Sequence, residues 1–139
     1  MTTKREKGNA FQRWIKAWLE EKGWTVHNQA PQGKMIRSNI GRPIFISVRN
    51  DIFGMDIIAK RMNKTLWIQA TLDTGKTRKL DEILKYPWSI HDDVQIWMKR
   101  KTGIIDIFKL DIQANELIPL GKIMRRIFYV LPGWPYGYE

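Results

Sequence analysis

The 139-residue chain contains no cysteine. Disulfides, thiol nucleophiles and zinc–thiolate sites are excluded together. It has only two histidines, His27 and His91, far apart in sequence, so each reads as an ordinary surface or strand residue rather than as part of a histidine metal cluster. Any metal is therefore expected on oxygen donors. No apolar run approaches the roughly 20 residues of a membrane span, and the polar start lacks the apolar core of a signal peptide. An intracellular, cytoplasmic protein with no membrane partner is expected. Internal repeats and low-complexity stretches are also lacking.

Acidic residues are in short supply, 14 against 24 Lys and Arg, for a formal charge of +10. The imbalance is uneven: residues 1–42 hold nine basic and three acidic side chains. Such a field suits a polyanion, because neutralised phosphates release counterions, and DNA is the expected partner. A hydrophobic fraction of 43% with seven tryptophans excludes disorder and supplies the core of one domain, residues 1–139.

Phe11, Trp14, Ile15, Trp18 and Leu19 recur at helical spacing and form one apolar stripe. Thr3 and Glu6 fit a capping box before it, and Gly23 fits its stop. "WTVHNQ" reads as a strand, and "APQGKMIRSNIGRP" as an exposed basic loop. "IFISV" and "MDIIAK" are short apolar strands, after which "RMNKT" turns into "LWIQATL", predicting a hairpin. Residues 76–86 pattern as a helix with Leu80, Ile83 and Leu84 inward, stopped by Pro87. "VQIWMKRKTGIIDIFKL" predicts two strands around Lys101, Thr102 and Gly103, and "IMRRIFYVL" a last one. Helix, strands, helix, strands is the order of an α/β fold, with a central mixed β-sheet flanked by helices.

Side chains alternate along "LWIQATL". Leu66, Ile68, Ala70 and Leu72 are then core, while Trp67, Gln69, Thr71 and Asp73 form a second row beside the strand that carries Asp56, suited to one wall of a cleft. Trp14 and Trp18 belong to the helical stripe and read as core. Trp88 and the non-periodic "FYVLPGWPYGYE" read first as packing groups and second as base-stacking ones.

"KGNAFQRWIKAWLEEKGW", "DIIAKRMNKTLWIQAT" and "VQIWMKRKTGIIDIFKL" together resemble the first helix, the Asp strand with its following Glu-x-Lys strand, and the closing hairpin of the archaeal Holliday junction resolvases, within the PD-(D/E)XK nuclease superfamily. The thirteen-residue offset from Asp56 to Gln69 matches that pattern. "IQA" after "GMDIIA" is also similar to the Mrr-type restriction nucleases, which use Gln-x-Lys. The resemblance covers about residues 4–112 and leaves 113–139 as an aromatic C-terminal extension. It implies a restriction-endonuclease-like fold in which acidic oxygens hold Mg²⁺ or Mn²⁺ and a lysine assists attack on a phosphodiester. It also implies branched DNA as substrate and a homodimer, since a four-way junction offers two symmetry-related strands.

Carried onto this chain, the implied catalytic positions are Gln12, Asp56, Gln69 and Thr71, with Asp56 the metal ligand. Only Asp56 keeps the residue type of the resemblance. Glutamine brings no charge to a cation, and threonine cannot stabilise a phosphate as lysine does. Asp73, Lys76 and Lys79 are the compensating candidates. Asp51 rivals Asp56 but reads better as a turn residue ahead of Gly54, and Glu6 is accounted for by the cap. Lys4, Arg5, Lys7, Lys34, Arg37, Arg42, Lys76, Arg78 and Lys79 are the expected phosphate contacts. Two functions follow: a metal-dependent, structure-specific endodeoxyribonuclease, or a silent nuclease-fold subunit that binds DNA or protein.

Overall fold

The computed structural model describes residues 3–28, 32–37, 43–48, 55–73 and 75–130. Helix α1 (Lys4–Glu21) begins at a reciprocal cap: the Thr3 hydroxyl accepts the Glu6 N–H, and the Glu6 carboxylate accepts the Thr3 N–H. Glu6 is thereby committed to the helix start. At the other end Gly23 takes φ +91°, its N–H donates to the Glu20 carbonyl and the Trp24 N–H to that of Leu19. This pair of bonds closes the last turn, and only glycine adopts that φ without strain. The predicted stripe is the buried side: Phe11, Ile15, Trp18 and Leu19 are inside, while half-buried Trp14 stacks on Trp18 at 5.5 Å.

The main sheet runs β1 (Thr25–Asn28), β4 (Ile57–Arg61), β5 (Lys64–Leu72), β6 (Asp93–Lys99), β7 (Ile105–Asp111), β8 (Glu116–Met124), β9 (Ile127–Val130) in spatial order. Its neighbours are antiparallel except β5 and β6. A parallel pair needs a crossover, and helix α2 (Lys76–Ile83) supplies it. The result is an α/β fold with a central mixed sheet. Its two faces carry separate cores: α1 packs with Ile57, Ala59, Leu66, Ile68, Ala70 and Trp97 on one, and Ile83 of α2 with Met55, Val94, Ile96 and Leu110 on the other.

Three elements differ from the sequence reading. The expected basic loop contains a strand, β2 (Gln32–Arg37), paired antiparallel with β3 (Pro43–Val48) from Gln32 opposite Val48 to Arg37 opposite Pro43. The expected single last strand is a hairpin, β8 and β9, turning at Arg125 and Arg126, both with positive φ. Residues 116–130, beyond the reach of the resemblance, therefore complete the sheet, and Leu120 and Ile123 lie in the α1-side core. Helix α2 also stops short of Pro87: the Trp88 indole N–H takes the Ile83 carbonyl at 2.7 Å. Trp88 packs beside Trp67, so its role among the described residues is structural. The end of the aromatic tail, 131–139, lies outside the described residues.

Candidate functional site

Asp56 stands at the entry to β4, where the ladder with β5 begins. Its N–H donates to the Ile68 carbonyl at 3.1 Å, and its carboxylate accepts the Ala70 N–H at 2.9 Å. Asp56 thus brackets Gln69 from the neighbouring strand. The carboxylate continues the ladder one step past the last regular pair, Ile57 with Ile68, and is only 5% exposed.

Alternation sends Gln69 to the α2 face together with Trp67 and Thr71. That row is not the open cleft wall expected from sequence, because Gln69 and Thr71 are buried. The Gln69 amide Nε2 donates to Glu82 Oε2 at 3.4 Å, longer than the usual N–H···O hydrogen bond. Glu82 is in turn 3.6 Å from Lys79 Nζ, one helical turn earlier. The Gln69 carbonyl Oε1 is buried and has no hydrogen-bond partner among the described residues.

The remaining expected residues divide clearly. Thr71 fills the space over Gly75, where an added Cβ would collide with the Thr71 hydroxyl; it packs the strand-to-helix turn. Gln12 is buried with an unpartnered Oε1, but α1 covers the face of β5 opposite to that from which Gln69 reaches α2. Asp73 takes φ +50°, and its carboxylate lies 3.6 Å from Lys101 in the β6–β7 turn. Lys76 lies over the Phe108 ring at 4.4 Å. Of the three compensating candidates, Lys79 is the one joined to Gln69, through Glu82.

Glu82 is the residue that sequence reasoning missed. Leu80 and Ile83 mark the inner side of α2, and a residue three positions after Lys79 falls beside them on a 3.6-residue period. The signal was present but looked like an ordinary helix acid. Among the expected phosphate contacts, Arg5, Lys7 and Arg78 are exposed, whereas Lys76 and Lys79 are half-buried. Lys4, Lys34 and Arg37 are placed by their backbone only, and Arg42 and Asp51 lie outside the described residues. His27 and His91 are exposed.

A second buried polar chain runs along β6 on the α1 face. The Trp97 indole donates to Gln95 Oε1 at 3.0 Å, and Gln95 Nε2 donates to Asp93 Oδ1 at 3.2 Å. Burial pushes the Asp93 carboxyl above the ordinary aspartate range, against the pull of Lys109, the Gln95 amide and Lys64.

Among the described residues no three Asp, Glu or His side chains converge as a metal-binding group, and no helix is long and apolar enough to cross a membrane. The oxygen donors grouped around Gln69 are two carboxylates and one orphaned amide carbonyl, with a lysine at their edge. That set suits a hard divalent cation, which takes carboxylate and amide oxygens alike, and it provides a cation for a phosphate. The chain matches no model of a known protein family and no curated protein.

Proposed function

We propose that this protein acts on DNA through a restriction-endonuclease-like domain, hydrolysing phosphodiester bonds of branched DNA with Mg²⁺ or Mn²⁺, as a homodimer. The observation that carries the reading is the contact of Gln69 with Glu82 and of Glu82 with Lys79 between β5 and α2, next to Ala70, whose N–H holds the Asp56 carboxylate. It sets an acid and a lysine, the types a nuclease site requires, on the residue that follows the resemblance's spacing from Asp56. Bound Mg²⁺ or Mn²⁺ would supply counter-charge for the phosphate and make an attacking water more acidic. Asp56 and Glu82 hold negative charge beside the buried Gln69, whose carbonyl contributes a fixed dipole. Lys79 offers its ammonium to the phosphate, the part the resemblance gives to a lysine at position 71. Exposed Arg5, Lys7 and Arg78 meet the flanking backbone and contribute affinity without sequence preference.

The neutral side chains at positions 12, 69 and 71 favour a second reading, a catalytically silent protein of the same fold that binds DNA or a protein partner. One paired assay separates the two. Four-way and linear duplex DNA are scored for binding and cleavage with Mn²⁺ and with EDTA, using wild type and Asp56→Asn. Cleavage of the junction by wild type alone, dependent on Mn²⁺, is the expected result. Binding that survives EDTA without cleavage establishes the silent protein, and no DNA binding at low salt refutes both DNA readings.

A further inference from the structure

Helix α2 lies over β5 and β6, but on the same side of the sheet the β8–β9 hairpin presents exposed side chains. The cross-strand registers place them. Thr71 stands opposite Met98, Met98 opposite Asp106, Asp106 opposite Lys122 and Lys122 opposite Tyr129. One row thus runs from β5 to β9, about 19 Å at ordinary strand spacing. A second leads from Gln69 through Ile96 and Phe108 to Pro119. Met124 and Ile127, opposite each other, share this side by alternation, whereas Ile123 between Lys122 and Met124 belongs to the α1-side core.

These side chains combine open apolar surface with positive charge. Ile127 is 55% exposed and Tyr129 43%; Lys122, Arg125 and Arg126 are exposed and Phe108 is half-buried. Lys76 of α2 reaches over the Phe108 ring at 4.4 Å. Asp106, the acid opposite Lys122, is bonded to Arg100, which offsets its charge. At the hairpin tip Arg125 and Arg126 hold φ of +50° and +65°, positions that Asn and Gly take at lower conformational cost. The tip thus presents two cations from a backbone that disfavours them.

We propose that this face binds an unpaired stretch of DNA, with bases laid on Tyr129 and Phe108 and phosphates met by Lys122, Arg125 and Arg126. Charge complementarity selects a polyanion. The rings select one whose base faces are open: a duplex keeps those faces inside its own stack, whereas a single strand lays them on aromatic side chains with little regard to sequence. A duplex would meet the cations and leave Ile127 and Tyr129 without a partner. The inference rests on the functional reading above in taking DNA as the substrate, and it deepens that reading. The row that ends at Tyr129 starts at Thr71, two residues from Gln69, so a strand held on the hairpin shares a sheet face with the candidate site.

The test uses full-length protein in EDTA at low salt and a fluorescent dT oligonucleotide of about 16 nucleotides, the upper end of single-strand site sizes. A linear duplex and a four-way junction are measured beside it by anisotropy, with folding followed by circular dichroism. Wild type is expected to bind dT. Tyr129→Ala should weaken dT binding about fivefold or more and leave the duplex within about twofold, while Tyr129→Phe, which keeps the ring, should stay within about twofold of wild type on dT. Lys122→Ala should weaken dT binding and flatten its logarithmic salt slope by about 0.7 for the phosphate no longer neutralised.

Wild-type dT affinity in Tyr129→Ala, equal weakening on dT and duplex, or no dT binding by wild type overturns the assignment. So does a dimer that Tyr129→Ala dissociates while dT affinity holds, which gives the face to a second copy of the chain. Tighter binding of an rU oligonucleotide than of dT gives it to RNA and overturns it as well. If Tyr129→Ala fails to fold, the Lys122→Ala slope decides, and an unchanged slope counts against the face. Junction cleavage is scored separately with Mn²⁺ restored. Loss of dT binding in Tyr129→Ala, with a wild type that neither binds nor cleaves the junction, keeps the face and discards the nuclease reading. Junction cleavage by wild type, with dT affinity indifferent to Tyr129, does the reverse.

Discussion

Asp56 holds two roles in one side chain, and they can be taken apart. Its carboxylate accepts the buried Ala70 N–H, and leaving such a donor unpaired costs about 1–3 kcal/mol. Asp56→Ala should therefore lower stability by about that amount in urea denaturation, while Asp56→Asn, which keeps an acceptor oxygen, should be appreciably less destabilised. Equal destabilisation would mean that the bond contributes nothing. Asp93 makes a different prediction. Its folded-state carboxyl holds the proton to higher pH than in the unfolded chain, because of burial. Between the ordinary aspartate value and that raised one, unfolding releases a proton, so this group's contribution to stability falls as pH rises; below the ordinary value it contributes no slope. Asp93→Asn removes the titration and can still accept from Gln95. Its urea midpoint should gain on wild type as pH rises above the ordinary aspartate value, and a difference that does not change with pH would refute the assignment.

Helix α2 has eight residues, too few to be stable alone in water, so its ends must be fastened by the rest of the protein. Gly75 fastens the first, lying under Thr71 with no room for a Cβ, and the Trp88 indole fastens the last through the Ile83 carbonyl. Gly75→Ala should cost about 1–3 kcal/mol as an overpacking change. Thr71→Ala in the same chain should recover part of that, and strict additivity of the two in a double-mutant cycle would deny that they touch. Elements also show where sequence reading succeeds. Helix α1 and the β4–β5 hairpin were legible because their boundaries are local: a capping box, a glycine stop, and the short "RMNKT" between two apolar runs, with Asn63 in its turn. The β8–β9 turn was not, since Arg125 and Arg126 occupy left-handed backbone positions that Asn and Gly normally mark. β2 was hidden for another reason. Gly33, Lys34 and Arg37 look like loop residues, and only pairing with β3 makes them a strand. Pro119 inside β8 misleads in the same way, but it pairs with Phe108 where the β7–β8 register shifts, a place where proline is tolerated.

At the scale of the whole molecule, the excess of positive charge predicts a steep fall of DNA affinity with salt. Replacing Lys7 and Arg78, both exposed, by Glu should lower affinity several-fold and flatten the logarithmic salt slope by about one unit for each phosphate no longer neutralised; an unchanged slope would place the DNA elsewhere. The candidate site was only half visible at this scale. Asp56 and Gln69, at the entry to β4 and on β5, could be found by spacing, but Glu82 reaches Gln69 through the packing of a crossover helix, which local spacing does not show. The fold's one parallel pairing among the described strands has a further consequence. Residues 25–28 and 57–72 pair among themselves, and residues 93–130 form successive hairpins, so the strands of the two parts meet only where β5 joins β6. Glu82 sits near the end of the helix that spans that seam, so opening the β5–β6 pair would withdraw it from Gln69 while the β4–β5 hairpin beside Asp56 stays paired.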